Sequence, residues 1–373
     1  MKPFRIVPAI SEFTEFEEFA RQEGLNEKDL IITNEYIYEP VNRTLNLPCK
    51  TLFQEKYGTS EPTDVMIDEI LDAVRGEEFD RVIAIGGGSV MDISKLVSVA
   101  SPTDSVDDLF AAPEKIKKRH TLYCLPTTCG TGSEVTCLVS VNRTRLGTKV
   151  GFGVNDMFAD HAVLISSLLQ SLPYKVFATS SIDAFVHASE SYLSPNACEM
   201  SRMFSENALK LIITGWIKVD KDGAGEAWKK YAAEFQRGSN YAGIAFGYGG
   251  CAAVHALAYP LGGVHHVPHG QSNQMMFEAV MRKYKEKKPV GKINDYEAMI
   301  AGIIGCGSDE ALDRLYELLE KVLKRDALHE QGVTEDELPV YAETVIKTQQ
   351  RLLNNNYVEL SRDDVLEIYK STF

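Results

Sequence analysis

The stretch HALAYPLGGVHHVPH, residues 255–269, holds four of the chain's eight histidines. Neutral imidazole is a common ligand for divalent transition metals. A second stretch, SSIDAFVHASES (180–191), places Asp183 four residues before His187. On a helix these two side chains share a face one turn apart, which suits two ligands on one cation. The spacing alone also fits an ordinary surface pair. His255 lies among small residues in GYGGCAAVHALAYPLGG, which reads as a helix stopped near Pro260 and Gly262. An imidazole in such a place needs a polar partner. The turn GGVHHVP follows, and His269 opens the next helix. A helix, a turn and a returning helix bring His255 and His269 face to face. With Asp183 and His187 they make a shell of three nitrogens and one oxygen, suited to Fe(II), Zn(II) or a similar ion. No cysteine belongs to the set, unlike most closed structural zinc sites. His265 reads as a surface histidine; His266 fits a surface role and a site role equally.

A different chemistry is written in IAIGGGSVMDISK (83–95). Three glycines follow an apolar run, and Ser89 and a helix follow the glycines. Backbone N–H groups and a helix N-terminus there favour an anion, usually phosphate. The pattern is not GxGxxG and also fits a tight strand-to-helix turn. A second loop, PTTCGTGSEVT (126–136), brings hydroxyls and glycines to the end of another strand. Two such loops at the carboxyl edge of one parallel sheet suggest a dinucleotide.

The elements that must position these groups alternate in the first half. DLIIT (29–33), RVIAIGGGS (81–89), TLYCLPTT (121–128) and AVLIS (162–166) read as buried strands. PTDVMIDEILDAVRGEEFD (62–80) and VMDISKLVSVA (90–100) read as helices, the first capped by Thr63 or Asp64 and ended by Gly76. Strand–helix alternation implies a parallel sheet covered on both faces. From Pro173 onward the periodicity is helical throughout. The expected organisation is a dinucleotide-binding α/β (Rossmann-like) domain over 1–172 and an all-helical metal-binding domain over 173–373.

The bulk properties narrow the function. A net charge of −14 argues against a nucleic-acid partner, which needs a basic patch. KIKKR (115–119) and RKYKEKK (282–288) read as solvated charges. No window reaches the roughly 18 apolar residues of a membrane span, and the N-terminal region lacks the apolar core of a signal peptide. The seven cysteines are scattered and odd in number, which fits reduced thiols and a cytoplasmic protein. Cys129 and Cys251, near the motifs, read as packing residues.

GGGSVMDISK, PTTCGTGSEVT, DAFVHASESY and HALAYPLGG…PHG, in this order, resemble the motifs of the iron-containing (group III) alcohol dehydrogenases over nearly the whole chain. The resemblance implies the dehydroquinate synthase-like architecture of that family, with the active site in a cleft, and a homodimer. It implies Asp183, His187, His255 and His269 as ligands of Fe²⁺, with Zn²⁺ possible. It implies NAD contacts at Gly86, Gly87, Gly88 and Ser89, and at Thr127, Thr128, Thr131 and Lys149. The expected chemistry is hydride transfer between a small alcohol and nicotinamide. TNEYIYEP and the chain length are similar to the branch that interconverts 4-hydroxybutyrate and succinic semialdehyde; butanol, propanediol and glycerol are the alternatives. Such a substrate needs a cation for its carboxylate, for which Arg143, Arg145, Lys149 and His266 are candidates. Two positions depart from the family pattern. Tyr259 stands where many relatives carry a histidine, so Tyr259 and His266 are the candidate proton carriers. Asn34 stands where an acidic residue often reads the ribose, and the adjacent Glu35 is the nearest replacement.

Overall fold

The computed structural model describes residues 3–59, 61–146 and 148–373. The chain divides into two compact units, Arg5–Leu172 and Pro173–Phe373, the second joined by the N-terminal residues to Phe4. Phe4 stacks on Phe204 and lies against Tyr248 of that second unit.

Among the described residues eight strands lie in the first unit: β1 (Ala9–Phe13), β2 (Asp29–Thr33), β3 (Lys50–Phe53), β4 (Arg81–Gly86), β5 (Thr121–Pro126), β6 (Val139–Arg143), β7 (Thr148–Phe152) and β8 (His161–Ile165). Its helices are α1 (Phe16–Gln22), α2 (Glu35–Asn42), α3 (Asp64–Val74), α4 (Gly88–Val99) and α5 (Val106–Ala111). Six strands form one sheet in the order β1-β8-β5-β4-β2-β3, all parallel. Its central strands are apolar on both faces. Ile31, Ile83, Ile85, Leu125 and Val163 meet one helical layer, and Leu30, Ile32, Val82, Ala84, Leu122 and Cys124 the other. Burial on both sides is why these segments carry continuous apolar runs rather than alternation. β6 and β7 pair separately as an antiparallel hairpin. The parallel sheet agrees with the expectation; β1, β3 and the hairpin are additions to it. Thr63, not Asp64, caps α3, accepting from the Met66 N–H at 3.0 Å.

The second unit is helical: α6 (Tyr174–Leu193), α7 (Glu199–Lys221), α8 (Ala232–Gly249), α9 (Ala253–His265), α10 (His269–Lys287), α11 (Lys292–Ile304), α12 (Ala311–Val322), α13 (Glu337–Thr348), α14 (Gln350–Leu353) and α15 (Arg362–Ser371). α6 runs through its centre and is buried almost throughout. Aromatic rings fill the space around it: Phe177 stacks on Trp228 at 4.3 Å, and Phe185 meets Phe277 edge-on at 4.9 Å.

The local reading of α9 needs two corrections. The expected continuous helix is broken at Gly250–Ala252, and α8 and α9 meet there at 105°. His255 therefore lies in the first turn of α9, not in the middle of a helix. Nor does Pro260 end α9, which continues to His265. Leu257 and Leu261 are fully buried, and Tyr369 Oη donates to the Leu257 carbonyl at 2.8 Å, so tertiary contacts carry the helix past its proline.

The approach of α10 to α6 leaves no room for a side chain at Gly270, where a Cβ would lie 1.9 Å from the Thr179 carbonyl oxygen. Gly270→Ala must push the packed helices apart. It is expected to destabilise the fold by about 3 kcal/mol, read as a lower midpoint in urea unfolding with unchanged slope.

Candidate metal centre and nucleotide loops

Three helix segments converge in the helical unit. Asp183, His187 and Glu190 recur at helical spacing on one face of α6. His255 comes from the first turn of α9, and His269 is the first residue of α10. One carboxylate oxygen, Asp183 Oδ1, lies 3.8 Å from His187 Nε2 and 3.5 Å from Nε2 of both His255 and His269. Bonds of about 2.1 Å to a tetrahedral ion would separate neighbouring ligand atoms by about 3.4 Å. Each of the three imidazole nitrogens thus lies from Asp183 Oδ1 at about the separation a shared cation would set; Asp183, His255 and His269 offer ligand atoms within 4.8 Å of one another, as do His187, His255 and Cys251. The His187 ring is held between Phe246 at 4.2 Å and His255 at 4.6 Å, both nearly parallel to it. Asp183, His187 and His255 side chains are 6, 7 and 3% exposed, whereas His269 is 34% exposed. The cluster is closed on three sides and open at His269, as a site that admits a substrate requires.

Two residues outside the expected set complete this cluster. Glu190 is buried and accepts the His255 Nδ1 proton at 2.6 Å. The same carboxylate accepts the N–H groups of Ala252 and Val254 at 2.8 and 2.6 Å, which caps α9. The bond to Nδ1 fixes the tautomer and turns Nε2 toward Asp183. Burial works to lower the His255 pKa, but Glu190 and Asp183 outweigh it and push it up to about 9. Asn273, one turn along α10 from His269, donates from Nδ2 to Asp183 Oδ1 at 2.8 Å. Burial would raise the Asp183 pKa, yet the three imidazoles hold it far below the usual carboxylate range. The ESY of SSIDAFVHASESY was the available signal for Glu190, seven residues and two turns beyond Asp183.

The remaining candidates of this unit lie around the cluster. Tyr259 faces His269 with ring centres 6.1 Å apart, and burial pushes its hydroxyl up to about 12. His266 is exposed, with positive φ, just past the end of α9. His265 is engaged by Tyr341 Oη at 2.7 Å and Glu337 at 3.2 Å. Cys251 is more than a packing residue: its sulfur lies within 4.8 Å of nitrogens of His187 and His255.

In the α/β unit both loops leave the carboxyl edge of adjacent strands, with Gly86 opposite Pro126 and the Thr127 N–H donating to the Gly86 carbonyl at 3.1 Å. From β2 the sheet order runs outward to β3 and then reverses to β4 and β5, so the Gly86–Ser89 turn at the end of β4 borders the switch in strand order, a usual ligand position. A Cβ on Gly87 would press on Thr128 at 3.3 Å, and one on Gly88 on Thr131 at 2.9 Å. The glycines are thus needed for the second loop to lie against the first. The buried Lys95 ties the two together. Its ammonium donates to Ser133 Oγ at 2.6 Å and the Leu138 carbonyl at 2.7 Å, while Ser133 donates to Asp92 at 2.7 Å. Asn34 stands at the N-cap position of α2, but its side chain does not cap the helix and instead donates to Gln54 at 3.1 Å and Glu55 at 2.9 Å. The acidic group beside Asn34 is therefore Glu55, at the end of β3, and not the exposed Glu35. Lys149 lies on β7 with its ammonium 2.7 Å from Glu61. Arg143 pairs with Asp64 and Asp107, and Arg145 with Asp68 at 2.6 Å, so these three cations are already engaged by carboxylates.

Comparison with known proteins agrees with this architecture. Residues 3–166 match the iron-containing alcohol dehydrogenases, and residues 177–373 the C-terminal part of the Fe-containing alcohol dehydrogenase family. The chain is 43% identical to a 4-hydroxybutyrate dehydrogenase of Clostridium kluyveri over 373 residues, covering 100% of both chains. It is 32% identical to long-chain-alcohol dehydrogenase 1 of Geobacillus thermodenitrificans, over 86% of this chain and 84% of the relative. The fold matches that of sulfoacetaldehyde reductase from Bifidobacterium kashiwanohense, solved in complex with NAD+, with a TM-score of 0.86 at 22% identity, covering 100% and 98% of the two chains. With both units matched and a relative this similar end to end, the chain belongs to the iron-containing alcohol dehydrogenase family.

Proposed function

We propose that this dehydrogenase interconverts 4-hydroxybutyrate and succinic semialdehyde with NAD and Fe(II), Zn(II) being the alternative ion. The observation that carries the reading is the approach of His187, His255 and His269 to one oxygen of Asp183, open at His269. The full-length similarity to a 4-hydroxybutyrate dehydrogenase supports the substrate. A divalent cation on these four residues supplies Lewis acidity to the alcohol or aldehyde oxygen. With the dinucleotide bound, hydride transfer would run between the carbinol carbon and the nicotinamide, and the protein's part would be to orient and shield the two.

The chain's own groups divide the remaining work. Gly86–Ser89 and the N-terminus of α4 receive the pyrophosphate, with Thr127, Thr128 and Thr131 beside it. Glu55, held at Asn34, favours a free ribose hydroxyl and repels a 2′-phosphate, which supports NAD over NADP. Tyr259 keeps its proton at neutral pH and serves as a hydrogen-bond donor near the reacting oxygen. His266, exposed beyond α9, exchanges protons with water. All seven cysteines are free thiols, which suits a cytoplasmic enzyme. A homodimer is supported by the family resemblance and by the exposed Ile6, Val7 and Ile10 at the edge strand β1.

His255→Ala and His269→Ala are each expected to lose metal and turnover together, measured by elemental analysis and NADH oxidation; full metal content in either refutes the ligand assignment. Glu190→Gln is expected to weaken metal affinity by about ten- to a hundredfold while the fold persists, read by metal titration against a chelator. Anaerobic, Fe(II)-loaded protein is expected to prefer succinic semialdehyde to butyraldehyde in kcat/KM. Equal or reversed preference would leave a dehydrogenase of general small aldehydes.

A further inference from the structure

A thiol borders the cluster without belonging to the four-residue set. Cys251 Sγ, a ring nitrogen of His187 and a ring nitrogen of His255 all lie within 4.8 Å of one another. Bonds of about 2.3 Å to sulfur and about 2.1 Å to nitrogen at a tetrahedral ion set such atoms about 3.6 Å apart, so side-chain rotation has at most about 1.2 Å to close. Cys251 is partly exposed and its thiol is free of any disulfide.

The main chain holds this thiol in place. Gly250, with a φ of 80°, makes the break between α8 and α9. Asn355 Nδ2 donates to the Cys251 carbonyl at 2.8 Å, and a Cβ on Gly250 would lie 2.3 Å from that same nitrogen. The next N–H, of Ala252, donates to Glu190 at 2.8 Å. The carboxylate that orients His255 therefore also fixes the chain at Cys251. His255 Nδ1 donates to Glu190 at 2.6 Å, which leaves the ring one lone pair, on Nε2. That lone pair serves one ion at a time, so a set with Cys251 and the set with Asp183 and His269 compete for His255. The two sets differ in chemistry. Asp183 brings a hard oxygen, whereas Cys251 brings a soft sulfur, and thiolate with imidazole favours ions of the zinc class.

We propose that Cys251, His187 and His255 form a second donor set, overlapping the first, that draws Zn(II) onto sulfur, whereas Fe(II) stays with Asp183, His187, His255 and His269. The assignment rests on the reading of this cluster as a metal centre. When the sulfur binds, its S–H bond breaks, a sulfur–metal bond forms and the proton passes to water. A tetrahedral ion with sulfur in its shell keeps one position fewer for a substrate oxygen. The identity of the ion thus decides which donors it takes, and Cys251 is the residue that makes the difference.

The test is X-ray absorption at the metal edge of the full chain, prepared anaerobically with one equivalent of Zn(II) or of Fe(II). Zinc-loaded wild type is expected to show a sulfur neighbour at about 2.3 Å, and iron-loaded wild type a shell of nitrogen and oxygen alone. Zinc-loaded Cys251→Ser is expected to lose the sulfur neighbour. In equilibrium competition between the two ions, the preference for zinc over iron is expected to fall at least about tenfold in Cys251→Ser, the least that disturbing a partner of the ligands costs. If the serine variant does not fold, Cys251→Ala replaces it. A shell of nitrogen and oxygen in the zinc-loaded wild type, or a sulfur neighbour that survives the substitution, would overturn the role of Cys251 and leave the metal centre standing. A wild type that holds neither ion at one equivalent would overturn the metal centre, and the Cys251 assignment with it.

Discussion

Two carboxylates buried on one face of α6 dictate much of the helical unit. A buried ionised carboxylate costs several kcal/mol unless its oxygens are met by donors or cations. Asp183 and Glu190 are both nearly inaccessible. Glu190 is met by the first N–H groups of α9 and by His255, Asp183 by Asn273 and three imidazoles. The break before α9, the start of α10 at His269 and the side-chain-free contact at Gly270 all follow from bringing those partners to α6. The geometry of this side-chain cluster and the packing of the helices are therefore one problem with one solution. Loosening either carboxylate would disturb both.

The α/β unit solves a different problem. Its loops must present backbone donors while staying in place. Glycines allow the two turns to lie in contact, and threonine methyl groups fill what the glycines vacate. The charge that binds the loops to each other is internal, in Asp92, Lys95 and Ser133, so the outward N–H groups remain available. Placement at the switch in strand order is a property of the sheet, independent of these side chains.

Much of this was legible in the residues, and the exceptions have physical causes. β2, β4, β5 and β8 are buried on both faces and so announce themselves as apolar runs. β1 forms the sheet's edge with mostly exposed residues, and β3 is four residues long, so neither carries a pattern. The spacing Asp183–His187 shows because both lie on one helix. The break at Gly250–Ala252 does not show, because small residues suit a helix equally well and the deciding partner, Glu190, is sixty residues away. Glu55 escaped notice for the same reason: it is an ordinary charged residue until the fold sets it beside Asn34. Pro260 misled in the opposite direction, since Tyr369, more than a hundred residues later, supports the helix that the proline should end.

The buried Lys95 has a consequence for the timing of entropy loss. A glycine-rich loop left free in the apoprotein would have to be ordered each time a dinucleotide arrived, and each departure would release that order again. Here the ordering is completed when the chain folds, by an ammonium with no access to water. Arrival and departure of the cofactor then leave the loop's conformational freedom almost untouched. A catalyst that must exchange its dinucleotide at every cycle gains by this arrangement, because no exchange requires the cradle to be rebuilt.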